Sequence, residues 1–352
     1  MKFLNSFAAA LALAMLLSAS NLMAKERRTH PAGPGINSLS GAGSTFIAPL
    51  LEYWIEAYQK QHPEAAIWYD DVGSGEGVER FVAGTVDFAA SDGGMSDQQV
   101  ASVQRGVRFL PATIGGVVLA YNIKGVQAGL KLTREAYTGI FLGKIQAWDD
   151  PRIKAANPGL SLPHEQITPV VRLDSSGTTF AFTNHLGAIS EEWRKGPGVG
   201  TRVAWPEGAM LTRSNEGIGA RVKLSEGAIG YVEYGFAQRL GLPMALLENR
   251  AGQFIAPEVS KIAKVFEDAI DQMPPDLRLF VPDPAGKDVY PIATYSWLIL
   301  YGHYPNGSEG SQLKDFIQFG LTDGQKDSEL LGYVPLPEPV SALAQKALAS
   351  IR

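Results

Sequence analysis

Apolar residues along the chain follow two spacings, one typical of helices and the other typical of strands. Apolar residues at i+4 spacing predict a helix that starts at Phe46 and is halted at His62-Pro63; they are Phe46, Leu50, Trp54 and Tyr58. Short apolar runs predict strands at 66–69, 116–121, 170–171 and 295–301, and turn-rich connections are predicted at 151–169 and 271–286. Because strand-like runs alternate with amphipathic helices, the chain is predicted to be an α/β protein.

Small hydroxyl residues beside glycine recur where helices are predicted to begin. The three cases are Ser44-Thr45 after a glycine, Ser74-Gly75, and Ser175-Ser176-Gly177-Thr178 ahead of a helix predicted over 180–186 and ended by Gly187. A helix N-terminus has free N–H groups and partial positive charge, so each can receive an anion. Taken singly, each pattern is ordinary N-capping. Together, and with Arg172 just ahead of the third, they favour an anion site.

The composition limits the kinds of protein this can be. The 352 residues predict about two domains, and 45% hydrophobic with 19% charged residues are typical of a globular chain. The absence of cysteine excludes disulfides, thiol nucleophiles and cysteine-ligated metals. A formal net charge of −5 has the wrong sign for general nucleic-acid binding. An anion must therefore be bound by local groups.

The first 24 residues have the features of an export signal. Lys2 is followed by an apolar run over 7–17 that is too short to span a bilayer, and small residues precede a cleavage site predicted after Ala24, with one near Ser20 as the competitor. A membrane anchor is the alternative. Without cysteine the chain has no lipid-anchor site, so we expect a free exported protein. Residues 25–38 are predicted to be a flexible leader.

Other familiar motifs are incomplete in this chain. Gly41-Ala42-Gly43 lacks the third glycine of a dinucleotide fingerprint, because position 46 is Phe46. The segment 139–144 is one residue short of a P-loop, and Ile145 stands where Ser or Thr is required. The five histidines have no ligand spacing and there is no Gly-x-Ser-x-Gly elbow. No catalytic residues, metal site or cofactor are predicted.

Several motifs, in consistent order over about residues 39–300, resemble the periplasmic phosphate-binding protein family of ABC-type phosphate importers. They include Gly-Ala-Gly-Ser-Thr-Phe at 41–46, Val-Gly-Ser-Gly at 72–75, Gly-Thr-Val-Asp-Phe-Ala-Ala-Ser-Asp at 84–92, Arg-Leu-Asp-Ser-Ser-Gly-Thr-Thr-Phe at 172–180 and Gly-Ala-Ile-Gly-Tyr-Val-Glu-Tyr at 227–234. The resemblance implies high-affinity binding of inorganic phosphate in the periplasm and its delivery to an importer permease. It also implies a monomer that docks transiently.

The resemblance further implies a type II fold of two α/β lobes with the ligand in the cleft between them. We expect lobe 1 to comprise 39–111 plus 290–352 and lobe 2 to comprise 112–289, with crossovers near 111–115 and 286–291. The three hydroxyl-rich helix starts would then come from both segments. A binding protein that closes by a hinge requires a site divided in this way.

The family's ligand residues map onto matching positions of this chain. The implied phosphate ligands are Thr45, Phe46, Ser74, Asp92, Arg172, Ser176, Gly177 and Thr178, supported by Ser44 and Asp174. Asp92 would carry specificity, because a carboxylate facing an anion is repulsive unless the anion donates a proton to it. Phosphate keeps a proton at neutral pH and sulfate does not, so a site built this way can reject sulfate by roughly 10⁴-fold.

Two positions depart from the family pattern, and other functions stay open. Glu76 stands where a small residue is usual, either facing solvent or competing with the anion. Ser175 replaces the usual glycine between Asp174 and Ser176. The alternatives are a binder or sensor of arsenate or another oxyanion without transport and, from a different class, a phosphate-ester hydrolase.

Overall fold

The computed structural model describes residues 38–305 and 307–352. The predicted signal peptide over 1–24, and the predicted leader apart from Ser38, lie outside the described residues. Within the described ranges, no helix combines the length and the apolar character that crossing a bilayer requires.

Strands and helices alternate over most of the described chain. The strands are β1 (Ser38–Gly43), β2 (Ala66–Asp70), β3 (Phe88–Ser91), β4 (Val107–Tyr121), β5 (Lys131–Leu132), β6 (Thr168–Arg172), β7 (Met210–Thr212), β8 (Ala228–Glu233), β9 (Leu246–Glu248), β10 (Phe254–Ile255) and β11 (Ala293–Tyr301). The helices are α1 (Ala48–Gln61), α2 (Ser74–Val82), α3 (Asp97–Ser102), α4 (Arg134–Phe141), α5 (Pro151–Ala156), α6 (Gly177–Ile189), α7 (Glu191–Lys195), α8 (Asn215–Leu224), α9 (Tyr234–Arg239), α10 (Val259–Glu267), α11 (Gly307–Leu321) and α12 (Glu338–Ala349). Short 3₁₀ turns lie at Ile270–Gln272, Asp323–Gln325 and Ser328–Leu331.

The predicted elements are present, with corrections at some of their ends. All four predicted strands are confirmed, within β2, β4, β6 and β11. The first helix begins at Ala48 instead of Phe46, because the preceding residues form a turn, and Pro49 occupies its first helical turn. The connection predicted over 151–169 contains α5, which Asp150 caps by accepting from the N–H of Arg152.

Gly187 does not end α6, so that prediction was wrong. The helix runs from Gly177 to Ile189, and a Cβ placed on Gly187 would lie only 2.8 Å from Cγ2 of Val199. Glycine is present there because a neighbouring segment packs closely against the helix, which a one-dimensional pattern does not distinguish from a helix stop.

The strands form one large mixed sheet and one small sheet. The 8-stranded sheet has the order β2-β1-β3-β11-β4-β8-β6-β7, and the 3-stranded sheet has the order β10-β9-β5. β1 runs parallel to β2 and β3, and β6 runs parallel to β7 and β8. The antiparallel strands β4 and β11 lie between these two parallel sets.

The long strand β4 joins the two parallel sets. Its residues 107–116 pair with β11 and its residues 117–121 pair with β8. Ser296 of β11 pairs with Thr113 of β4, but the next residue, Trp297, pairs with Pro111. The pairing register therefore shifts by one residue at this point, which is a β-bulge. Proline cannot donate to the ladder and is tolerated at such a bulge. The bulge lies within the segment 111–115, where the first crossover is predicted.

The carboxyl ends of both parallel sets, β1–β3 and β6–β8, lie near the middle of β4. Ser91, the last residue of β3, pairs with Trp297 of β11, and Trp297 faces Pro111 of β4. Glu233, the last residue of β8, pairs with Val117 of β4. Loops that follow these strands therefore meet near residues 111–117. In α/β sheets, ligands bind at the carboxyl ends of strands.

Candidate functional site

Loops at the carboxyl ends of three strands bring the predicted site residues together. Ser44 and Thr45 follow β1, Asp92 follows β3, and Arg172 is the last residue of β6. Ser44, Thr45, Phe46, Ser74, Asp92, Arg172, Asp174, Ser176 and Thr178 are each at most 4% exposed. The chain thus buries many polar groups at one place, which is unfavourable unless those groups have partners.

The two chain segments that carry these residues contact each other directly. The N–H of Gly75, in the first turn of α2, donates to the carbonyl of Ser175 at 2.9 Å. A Cβ placed on Gly177 would lie 2.4 Å from Oγ of Ser74 and 2.6 Å from Oδ2 of Asp92. The N-termini of α2 and α6 therefore face the same small space, and only glycine fits at position 177.

Asp174 binds two of the three guanidinium nitrogens of Arg172 and leaves the third without a partner in the part of the chain that the structure describes. Nε of Arg172 donates to Oδ1 of Asp174 at 2.8 Å, and Nη2 donates to Oδ2. Among the described residues, the buried Nη1 of Arg172 has no hydrogen-bond partner. Burial by itself would raise the pKa of Asp174, but the hydrogen bonds and charge of Arg172 outweigh it and the pKa is lowered. The pair therefore stays ionised and keeps a fixed, buried cationic donor.

The carboxylate of Asp92 accepts from a hydroxyl group in the loop after β1 and from another on β11. Oγ of Ser44 lies 2.6 Å from Oδ1 and 2.7 Å from Oδ2, and Oγ of Ser296 donates to Oδ1 at 2.7 Å. Oγ1 of Thr294 donates to the carbonyl of Asp92 at 3.1 Å. Burial raises the pKa of Asp92 to about 6, although the hydroxyls of Ser296, Ser44 and Ser74 and the charge of Arg172 act in the opposite direction. Oδ2, which Ser296 does not contact, is the oxygen next to Gly177.

The N-terminus of α6 supplies further donors. Oγ of Ser176 accepts from the N–H of Thr179 at 3.1 Å and so caps the helix. The amides of Gly177 and Thr178 precede Thr179 in the first turn, where N–H groups have no partner within the helix. The helix dipole adds partial positive charge at the same point. With Nη1 of Arg172, these donors form a site suited to an oxyanion.

Phe46 contributes to this region mainly by packing. A Cβ placed on Gly115 would lie 2.6 Å from the Phe46 ring, so the ring packs closely against β4. The N–H of Phe46 donates to Oγ of Ser44 at 3.0 Å, and its carbonyl accepts from the hydroxyl of Tyr333 at 2.6 Å. The backbone N–H of Phe46, one of the predicted ligand residues, therefore has a hydrogen-bond partner inside the protein.

Asn215 is a buried site residue that the sequence analysis did not include. It is the first residue of α8, and its Nδ2 donates to Oγ1 of Thr45 at 3.0 Å and to Oγ1 of Thr178 at 3.1 Å. The segment Ser214-Asn215-Glu216-Gly217 has the hydroxyl and glycine pattern used for the other helix starts, so the same signal could have found it. Ser296 and Thr294 were also missed, and no local pattern marks them because both lie inside β11.

Glu233 is a second buried acid near the site. Its carboxylate caps α9 by accepting from the N–H groups of Gly235 at 2.7 Å and Phe236 at 3.0 Å. Burial, with a smaller contribution from the charge of Asp92, raises the pKa of Glu233 to about 8, although the two N–H donors and Arg239 act in the opposite direction.

The two departures from the family pattern have hydrogen-bond partners other than Arg172 and Asp92. Glu76 is exposed, and its Oε1 accepts from Nε of Arg80 at 2.9 Å, which fits the solvent-facing interpretation. Oγ of Ser175 donates to Oγ1 of Thr201 at 2.8 Å, while the Ser175 carbonyl accepts from Gly75. The Ser175 hydroxyl therefore bonds to a residue within 112–289, the same predicted lobe.

The buried histidine of the described chain has both ring nitrogens occupied. Nδ1 of His185 lies 2.6 Å from the carbonyl of Pro282 and Nε2 lies 2.8 Å from the hydroxyl of Tyr137. Burial lowers its pKa to about 4, so the ring is neutral at pH 7. Over the ranges that the structure describes, no three His, Asp or Glu side chains are grouped so that they could hold a metal ion.

Comparisons with known proteins agree with this geometry. The family model of the PBP superfamily domain matches residues 28–323. The phosphate-binding protein PstS of Xylella fastidiosa is 36% identical over 300 residues, covering 85% of this chain and 81% of the relative. PstS of Methanocaldococcus jannaschii is 35% identical over 333 residues, covering 88% and 85%. The solved structure of a high affinity periplasmic phosphate-binding protein (PfluDING) bound with phosphate has a TM-score of 0.73 over 88% of this chain and 93% of that one, at 22% identity.

Proposed function

Because this chain belongs to the PstS family of phosphate-binding proteins and has their two-lobed type II fold, we propose that it binds inorganic phosphate with high affinity and delivers it to an importer permease. The proposal is supported by a site that offers many fixed donors and one acceptor. Its ligand residues would be Thr45, Phe46, Ser74, Asp92, Arg172, Ser176, Gly177 and Thr178, with Ser44 and Asp174 in supporting roles.

The single observation that carries the proposal is the unpartnered Nη1 of Arg172. A buried guanidinium N–H without a partner is costly, and proteins rarely leave one in that state. Asp174 fixes the guanidinium through Nε and Nη2, so the direction of Nη1 is fixed as well. An anion bound by Nη1 and by the first turn of α6 would satisfy that nitrogen and the free amides of the turn together.

Asp92 would make the site selective for an oxyanion that still carries a proton. Ser296 donates to Oδ1 alone, and the one hydroxyl hydrogen of Ser44 is shared between both oxygens, so Oδ2 is the oxygen with more capacity for the ligand. With a pKa of about 6, this carboxylate is ionised at pH 7 and can only accept. Monohydrogen phosphate can donate to it, whereas sulfate would leave two acceptors facing each other.

Opening and closing of two lobes would admit and enclose the ligand. We propose lobe 1 as 39–111 plus 290–352 and lobe 2 as 112–289, joined by β4 and by the segment that leads into β11. The hydrogen bond from the N–H of Gly75 to the carbonyl of Ser175 would break on opening, because the two residues belong to different proposed lobes. Hinges at the ends of elements are typical of such binding proteins.

The place of action and the partner follow from the same family. We propose a free periplasmic monomer, exported by a signal peptide over 1–24 that is cleaved, which docks transiently on the membrane permease of an ABC importer. It would use no cofactor, bind no nucleic acid and catalyse no reaction. A sensor of phosphate or of a related oxyanion would use the same site, and only a transport assay separates that role from import.

Calorimetric titration of refolded, ligand-free protein tests the proposal. We expect tight binding of phosphate and at least ~1000-fold weaker binding of sulfate at pH 7.5. Equal binding of the two anions would overturn the proposed function, and tighter binding of arsenate would reassign the ligand. Release of phosphate from p-nitrophenyl phosphate, with and without divalent metal, tests the hydrolase alternative; steady turnover would favour it over a binding protein.

A further inference from the structure

The side chain of Asn215 links the two chain segments at the centre of the site. Nδ2 reaches Oγ1 of Thr45, 170 positions earlier in the chain, and Oγ1 of Thr178 on α6. Asn215 is fully buried, and no family assignment given above includes it. Its two amide hydrogens are thus used on two hydroxyl oxygens that are both predicted ligands.

The orientation of this amide is fixed by a backbone group. The N–H of Glu233 lies 3.0 Å from Oδ1 of Asn215, and a backbone N–H can only donate. The atom facing Glu233 must therefore be the oxygen, and the nitrogen must face the two threonines. A flipped amide would place two donors against each other at Glu233.

This amide determines which way the threonine hydroxyls point. Oγ1 of Thr45 accepts from Nδ2 and also from the backbone N–H of Asn215 at 3.2 Å, so both of its lone pairs are occupied. Its own hydrogen can then only be donated elsewhere. Oγ1 of Thr178 also accepts from Nδ2, which favours donation of its hydrogen in the same way.

The backbone before Asn215 is held in an unusual conformation. Ser214 has φ 62° and ψ 164°, a region that non-glycine residues rarely occupy. Two bonds offset the strain: Oγ of Ser214 caps α8 through the N–H of Gly217 at 3.1 Å, and the Ser214 N–H bonds to the Asp174 carboxylate. The residue that fixes Arg172 therefore also fixes the start of α8, where Asn215 lies.

We propose that Asn215 is a positioning residue that commits the hydroxyls of Thr45 and Thr178 to donate to the ligand. This inference rests on the proposed function, because a phosphate oxygen needs donors from the site. A free hydroxyl can present either a hydrogen or a lone pair to an anion. With Asn215 in place, only the hydrogen of Thr45 is available, so the donor set is correct before the ligand arrives.

A double-mutant cycle between Asn215 and Thr45 tests the proposal. The variants are Asn215→Leu, Thr45→Val and the double substitution, each titrated with phosphate by calorimetry. We expect Asn215→Leu to lower phosphate affinity by ~10- to 100-fold, and to cost clearly less in the Thr45→Val background, where only the Thr178 hydroxyl remains to be oriented. That result means that Asn215 acts through the hydroxyl. Fully additive losses would overturn the proposal, because a merely structural role affects binding with or without the Thr45 hydroxyl.

Asn157 provides a matched control. It is a buried asparagine whose Nδ2 donates only to the backbone carbonyls of Lys131 and Ile153. Asn157→Leu should lower the melting temperature and leave the phosphate affinity within about threefold of the unmodified protein. If Asn215→Leu does not fold, Asn215→Ala takes its place in the cycle. Failure of the unmodified protein to bind phosphate would overturn the proposed function itself; normal phosphate binding by Asn215→Leu would overturn this inference alone.

Discussion

Arg172 directs Nε and Nη2 to the carboxylate of Asp174 and leaves the buried Nη1 without a hydrogen-bond partner among the described residues. Asp174 accordingly does two things, since it neutralises a buried charge and fixes the direction of the third nitrogen. The strength of an anion contact at Nη1 then depends on both residues.

Replacement of Arg172 by lysine should lower phosphate affinity by about 100-fold or more. An ammonium group cannot pair with Asp174 through two nitrogens and still present a third to the ligand. Calorimetry of Arg172→Lys measures the loss. Arg152→Lys is the matched control, because Arg152 pairs with Asp150 at the surface, and this variant should bind phosphate normally. Equal affinity of both variants would show that Nη1 is not a ligand.

Gly177→Ala should abolish tight phosphate binding while the protein still folds. The added methyl group would lie 2.4 Å from Oγ of Ser74 and 2.6 Å from Oδ2 of Asp92, so the two segments could not approach fully. We expect a loss of at least ~100-fold in affinity. At Gly159 a Cβ would meet no atom within 4 Å, so Gly159→Ala serves as the control. Unchanged affinity of Gly177→Ala would mean that the segments do not close around the ligand in this way.

Discrimination against sulfate should weaken as the pH falls through about 6. Above the Asp92 pKa of about 6 the carboxylate only accepts, and below it the protonated group can donate to sulfate. Sulfate affinity should therefore rise by roughly tenfold between pH 7.5 and pH 5. In Asp92→Asn, sulfate binding should be stronger at pH 7.5 and nearly independent of pH. A pH profile of sulfate binding that is the same in both proteins would contradict the assignment.

Glu233→Gln should change how stability depends on pH. The native pKa of Glu233 is about 8, against a usual value of 4.5, so the folded protein binds this proton more tightly than the unfolded chain does. Its contribution is complete below about pH 4.5 and is lost as the pH rises through 8. Relative to Glu233→Gln, the unmodified protein should lose ~1–3 kcal/mol of unfolding free energy between pH 5 and pH 9. Urea unfolding at several pH values measures this difference; parallel curves would exclude a buried, protonated Glu233.

Glu76→Gln should leave phosphate affinity within about threefold of the unmodified protein, because its carboxylate is exposed and pairs with Arg80. Titrations at low and high salt check this expectation. A gain in affinity of tenfold or more at both salt concentrations would indicate that Glu76 competes with the anion.

Local sequence was sufficient for much of the fold and for the separate parts of the site. The spacing of Ser96 and Gln99 predicts a capping box, and the structure shows both of its hydrogen bonds. The Gly and Ser/Thr helix starts predicted donors at Ser74 and Ser176, which lie at the N-termini of α2 and α6. These features depend on residues within one turn of each other, so a linear pattern records them.

The contacts between distant segments could not be predicted from local sequence patterns. Ser296 reaches Asp92 across 204 positions, and Asn215 reaches Thr45 across 170. Ser296 leaves no local signal, because serine inside a strand is common. The hydroxyl and glycine pattern at 214–217 could have indicated Asn215, but it carries no information about its partner Thr45. Gly187 was misjudged for the same reason, since its neighbour Val199 comes from another segment.

The sequence by itself determined which chemical groups are present: an arginine with an aspartate two residues later, hydroxyls beside glycines, and one acid in a turn. Only the tertiary structure decided which of their atoms are free. The strand order brings the ends of β1, β3, β6 and β8 to the middle of β4, and burial there requires each polar atom to find a partner. Among the described residues, Nη1 of Arg172 is a buried nitrogen for which this requirement is not met within the protein.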